Sequence, residues 1–203
     1  MININNTFPP PFLLATTNSG KLRELFSLLS GLPIRLVTPV DVNLNLDVAE
    51  TGSSYAETAT IKALAYHSAT GLPVLADDTG LEVEALDGAP GLRSARFSPL
   101  PGATDADRRL LLLGALAGKP SPWLARFQCA VAVAMPGHDI QVFHGSIEGE
   151  IIEEERGDHG FGYDRLFYIP VAGKTMAELD LAEKNNFSHR AVAVKKAIPY
   201  LLQ

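Results

Sequence analysis

Two long strand-like runs, Arg126 to Met135 and Ile140 to Ile151, are joined through a Pro136-Gly137 turn. A connection that short forces an antiparallel hairpin, which rules out an all-helical chain and an all-parallel sheet. The other end of the sequence makes a different demand. Phe12 to Ala15 is a short apolar strand, Thr16 to Gly20 a turn of small residues, and Leu22, Leu25, Phe26 and Leu29 recur at helical spacing. Strand, turn and one-faced helix form a βα unit, whose strand pairs in parallel. A chain with both features belongs to the α/β class, with a mixed central β-sheet flanked by helices.

The segments between them fit this plan. A helix is predicted from Ser54 to Ala69, with capping-box spacing in Ser54-x-x-Glu57 and an end at Gly71 and Pro73. Pro73 to Ala76 reads as a strand, Asp77 to Gly80 as a turn, and Leu81 to Ala85 as an alternating strand. Thr104-x-x-Asp107 starts a helix through Leu110 to Leu113 that ends near Gly118. A glycine-rich loop, Gly157 to Gly162, leads into a strand at Leu166 to Ile169; Thr175-x-x-Glu178 caps a short helix and Ser188 opens the last one. Residues 1–11, with three consecutive prolines, read as an extended tail, and Trp123 beside two prolines as a loop residue. No repeat or linker divides the chain, so residues 1–203 are expected to form a single domain.

A net charge of −6 weighs against a partner held by a broad basic field, which argues against nucleic-acid polymers. It leaves room for a small anion held by a few local cations. The 46% hydrophobic content is that of a globular chain. Cys129 has no intrachain partner and sits in an apolar strand, where it reads as inert core. With no apolar stretch of membrane-spanning length and no positive side chain before Lys21, a cytoplasmic protein without membrane partners is expected.

Four clusters carry chemistry. In Thr16-Thr17-Asn18-Ser19-Gly20-Lys21, hydroxyls, an amide and free backbone N–H groups at a helix start make an anion site, to which Lys21 adds a charge. It is no Walker loop, because Ala15 stands where a glycine is needed and Leu22 where a Ser or Thr is. Adjacent carboxylates in Asp77-Asp78-Thr79-Gly80 call for a shared cation or proton, and an oxygen-rich site of this kind suits magnesium. Glu50 is placed to complete a metal site with Asp78, and Lys62 to reach a phosphate; Glu57 is explained as a cap and Tyr66 as core. The fourth cluster is Phe161-Gly162-Tyr163-Asp164, then Lys184, then Ser188-His189-Arg190. An aromatic ring on a glycine loop can stack on a base, while the aspartate, lysine and arginine supply directed hydrogen bonds. The run Glu148, Glu150, Glu153, Glu154 and Glu155 reads as a solvated strand edge, and His159 has no ligand spacing.

With these clusters in this order, the chain resembles the Ham1-like inosine/xanthosine triphosphate pyrophosphatases. The likeness runs from about Leu13 to about Leu201, through LATTNSGKLREL, ETGSSYAETATIKA, LADDTGLEVEALDGAPGLRSARFS, ARFQCAVAVA, GFGYDRLFYIP, GKTMAELDLAEKN and SHR. The resemblance implies two lobes with a substrate cleft between them, a homodimer and a magnesium cofactor. It also implies that purine triphosphates such as ITP, dITP and XTP are split to the monophosphate and pyrophosphate. By the same resemblance Thr16, Asn18 and Lys21 take the triphosphate, with Thr17, Ser19 and Gly20 in the same turn, and Lys62 faces phosphates. Asp78 is metal ligand and general base, Thr79 touches substrate, and Glu50 falls near the second metal carboxylate. Phe161 to Asp164, Lys184, His189 and Arg190 match the nucleobase pocket. The chain departs from the family in having Thr58 after Glu57, where an amide is usual, and Asp158-His159 in the loop before Phe161. Two other readings rest on residues alone. Asp78-Thr79-Gly80 matches the aspartic-protease triplet, which would need a second copy by dimerisation, and the cation clusters would suit a nucleotide-binding module without catalysis.

Overall fold

The structure, a computed structural model, describes residues 11–203. The expected tail therefore lies outside the described residues except for Pro11, the first residue of β1 (Pro11–Leu14), where a strand tolerates a missing N–H. In chain order the remaining elements are α1 (Ser19–Leu28), β2 (Arg35–Val37), α2 (Tyr55–Thr70), β3 (Val74–Val83), α3 (Asp105–Leu116), β4 (Trp123–Ala134), β5 (Gln141–Ile151), β6 (Phe167–Ile169), β7 (Lys174–Thr175), α4 (Leu181–Phe187) and α5 (His189–Leu201). The seven strands form one sheet in the order β2-β1-β3-β4-β5-β6-β7. β1 pairs in parallel with β2 and β3, and every later pairing is antiparallel. This is the mixed sheet required by a βα unit and a hairpin in the same chain.

The sheet has two covered faces. On one, Leu14, Leu75, Cys129, Val131 and Val133 pack against Leu25 of α1 and Ala193, Val194 and Ala197 of α5. On the other, Leu13, Ala76, Ala130 and Ala132 meet Ala59, Ala63 and Tyr66, spaced i, i+4, i+7 along α2. Small residues on both sides let α2 lie close to the strands. A third core gathers Leu81, Val83, Leu112, Leu116, Trp123, Phe127, Tyr163, Phe167 and Met176 beyond the middle of β3 and β4, and forms the second lobe.

Several local expectations need correction. Asp77 to Gly80 is not a turn: it lies inside the ten-residue strand β3, hydrogen-bonded in register to Gln128 through Val131 of β4. Gly80 serves close packing there, since a Cβ would stand 2.4 Å from the Gly91 carbonyl and 2.5 Å from the Tyr55 hydroxyl. Trp123 is buried at the start of β4, and its indole N–H donates to the Lys119 carbonyl at 3.2 Å. Only half of the Ser54 capping box forms. Ser54 Oγ accepts from the Glu57 N–H at 3.1 Å, but the Glu57 carboxylate turns to the N–H and hydroxyl of Ser53. Of the acidic run, Glu148, Glu153, Glu154 and Glu155 are exposed as expected, but Glu150 lies where β6 pairs with β5, and Glu155 is ion-paired with Arg109.

Candidate active site

The pleat of β3 separates the two aspartates. Side chains alternate along a strand, so Asp77 shares the α1–α5 face with Leu75, and Asp78 the α2 face with Ala76. They do not share one cation; each has its own lysine.

Asp77 is buried and anchors a network of cations. Its Oδ2 lies 3.0 Å from Lys21 Nζ, and accepts from Arg190 Nε at 3.1 Å and Nη2 at 3.0 Å. Burial alone pushes the Asp77 carboxyl up, but the Lys21 and Arg190 charges outweigh it and hold the group well below the usual carboxylate range. Arg190 Nη1 also donates to Glu24, and Nη2 to Thr79 Oγ1 at 3.2 Å. Lys184 bridges Glu24 at 2.7 Å and Asp164 at 2.5 Å. These partners leave one N–H on Arg190 Nη1 and one on Lys184 Nζ without a partner among the described residues. The Phe161 ring lies 5.2 Å from Lys184 Nζ and 5.8 Å from the Arg190 guanidinium carbon.

On the other face Lys62, which α2 projects toward the sheet, contacts Asp78 Oδ1 at 3.2 Å and ion-pairs with Glu50. Glu50 also binds Arg96 Nη1 at 2.5 Å. Burial raises the Asp78 carboxyl above its ordinary value, with Lys62 and Lys21 opposing. For Glu50 the balance reverses: burial is outweighed by Lys62 and Arg96, and the carboxyl sits low. Both halves of the site are charge-balanced as they stand. Lys21, Lys184 and Arg190 face Asp77, Glu24 and Asp164, while Lys62 and Arg96 face Glu50 and Asp78.

The two halves open into one cleft of about 340 Å³ between the lobes. The N-terminus of α1 faces it, with the Asn18 carboxamide oxygen accepting the Lys21 N–H at 3.0 Å and fixing the start of the helix. The pattern of the Ham1 family matches residues 12–200 of this chain. The chain belongs to the Ham1 family. It is 45% identical over 190 residues to the dITP/XTP pyrophosphatase of Desulforamulus reducens, covering 93% of this chain and 94% of that one. With the protein of the same name from Xanthomonas oryzae pv. oryzae it shares 48% over 185 residues, 90% and 92% of the two chains. The solved structure of a HAM1 protein from Coxiella burnetii superposes with a TM-score of 0.84 at 42% identity, covering 95% of this chain and 98% of that one.

Within this Ham1 fold, the predicted site residues separate into those that line the cleft and those that do not. Thr16, Thr17, Asn18, Lys21, Glu50, Lys62, Asp78 and Thr79 line it, as do Phe161 to Asp164, Lys184, His189 and Arg190. Ser19 points to solvent, and Gly20 is buried under the Phe161 ring, where a Cβ would stand 2.4 Å from Cδ1. His189 is buried and stacks on Phe127 with centroids 4.7 Å apart; burial, then the Arg190 and Lys184 charges, push its imidazole well below its ordinary value.

Sequence reasoning missed several residues. Glu24 is one turn past Lys21, a spacing that could have flagged it, but a carboxylate on an amphipathic helix reads as solvent-facing until α5 places Arg190 beside it. Arg96 lies in a segment without a strong pattern, and Asp105, inside the Thr104–Asp107 capping box, reads as an ordinary first-turn carboxylate. Tyr66, read as core, is both buried and a cleft wall.

Proposed function

We propose that this protein hydrolyses non-standard purine nucleoside triphosphates, namely ITP, dITP and XTP, to the monophosphate and pyrophosphate, and so cleans the nucleotide pool. The observation that carries the reading is one cleft lined by a helix N-terminus with Lys21, by carboxylates sharing Lys62, and by Phe161 with two partly committed cations. Relatives 45% and 48% identical over at least nine-tenths of their length bear the name dITP/XTP pyrophosphatase, which supports it.

Glu50 and Asp78 fit a divalent metal, and magnesium in particular. Both are hard oxygen donors that converge on one point, held in this structure by Lys62 Nζ. Among the described residues no three His, Cys, Asp or Glu side chains cluster as a metal cage. Magnesium needs none, since one or two carboxylates suffice when phosphates and water complete its shell. A polyanion entering a charge-balanced cleft requires such a cation, which on binding neutralises phosphate charge.

Asp78, facing the cleft, takes the proton of the attacking water. The water oxygen bonds to the α phosphorus, the bond from that phosphorus to the α–β bridging oxygen breaks, and its electron pair leaves with pyrophosphate. Lys21 and Lys62 steady the outgoing oxygens. At the base end, the remaining N–H groups of Lys184 and Arg190 donate to a carbonyl at purine position six. Adenine's amino group would set donor against donor. In this reading the enzyme is a cytoplasmic homodimer that uses neither nucleic-acid polymers nor membranes; among the described residues no helix is long and apolar enough to cross one.

Hydrolysis of ITP in oxygen-18 water with magnesium tests the bond assignment. Mass spectrometry should find the heavy oxygen in the monophosphate and none in pyrophosphate. Heavy oxygen in released orthophosphate, with a nucleoside diphosphate as co-product, would overturn it.

A further inference from the structure

The loop that carries Phe161 is held at one peptide unit, Gly162, by two side chains of α3. Gly162 donates its N–H to Asp105 Oδ2 at 2.7 Å, and its carbonyl accepts from Arg109 Nη1 at 2.9 Å. Asp105 and Arg109 are four residues apart on α3, hence on one helix face, and grip the same glycine from both sides. Gly162 has φ +61°, and its N–H and C=O have no strand or helix to pair with, so α3 supplies both partners. Arg109 is itself aimed: it is buried, and its Nε and Nη2 donate to Glu155 at 2.7 and 3.1 Å, leaving Nη1 for Gly162. Loop residues on the far side of this peptide are committed as well. The Tyr163 hydroxyl donates to the Ser94 carbonyl at 2.9 Å, and the Phe161 N–H to Asp164 at 2.9 Å.

We propose that Arg109, acting with Asp105, is a positioning residue that fixes the Phe161 loop and thereby sets purine discrimination. This rests on the reading of the cleft given above. Arg109 touches no substrate in that reading; it acts through the Gly162 carbonyl. A loop freed on that side lets the Phe161 ring shift relative to Lys184 and Arg190. Displacements near 1 Å at such a site are worth on the order of 100-fold in rate.

The readout is the ratio of kcat/KM for ITP to that for ATP, measured on one preparation, because a loss of folded enzyme cancels from it. Arg109→Leu should lower that ratio at least about tenfold. Glu155→Gln, which weakens the ion pair but keeps the donor to Gly162, should leave it within about twofold. An unchanged ratio in Arg109→Leu would overturn the proposal, as would an equal fall in both variants. Amide hydrogen exchange across residues 160–164 of the ligand-free proteins separates this failure from failure of the function. Faster exchange in Arg109→Leu supports the clamp even if wild type hydrolyses neither nucleotide, whereas unchanged exchange overturns it.

Discussion

A peptide bond apart, Asp77 and Asp78 face opposite sides of the sheet, and the charges each meets follow from that. Asp77 is sealed between Lys21 and Arg190, so its carboxylate is structural as well as electrostatic. Asp78 is partly open to the cleft and shares Lys62 with Glu50, so Lys62 keeps a partner if Asp78 loses its charge. The two isosteric substitutions should therefore differ in kind. Asp77→Asn leaves buried cations short of a counter-charge and should lower unfolding free energy by about 3 kcal/mol or more in denaturant titration. Asp78→Asn should unfold within about 1 kcal/mol of wild type yet lose on the order of 10²–10⁴ in kcat. Equal loss of stability in both variants, or full turnover in Asp78→Asn, would contradict the division of labour.

At the level of elements, β3 is where sequence reading and structure part. A glycine after two aspartates and a threonine has the composition of a turn, and composition alone favours that reading. The strand continues because β4 supplies a partner for each of its residues and because Tyr55 and Gly91 fill the space beside Gly80. Neither neighbour is close in sequence, so neither was visible to a local argument. Gly80→Ala should test this. A Cβ there meets a backbone carbonyl that cannot step aside, and the variant should lose about 1–3 kcal/mol, read from its denaturation midpoint. A neutral or stabilising result would restore the turn. Elements with their own internal signal were legible: α2 begins at Tyr55 after its Ser54 cap, α3 carries the Thr104–Asp107 capping box, and the β4–β5 hairpin turns at Pro136-Gly137.

Across the whole molecule, the net charge of −6 proves a poor guide to what the cleft can hold. Lys21, Lys62, Lys184 and Arg190 line it, each paired with a carboxylate outside its own element. The types and order of the site residues were readable because Asn18-x-x-Lys21, Asp77-Asp78 and Ser188-His189-Arg190 are local motifs. Their pairing was not, since Glu24 meets Arg190 and Arg109 meets Gly162 only after α1, α3, α5 and the sheet have packed. That assembly places hydrogen-bond donors at one end of the cleft and carboxylates beside Lys21 and Lys62. Under the proposed function, its central consequence is selection of a purine by the group at position six. The most direct measurement is pyrophosphate release from ITP, XTP and ATP with magnesium, compared as kcat/KM. The account predicts ITP and XTP favoured over ATP by on the order of 100-fold. No pyrophosphate from ITP or XTP, or ATP cleaved as well as ITP, would contradict it.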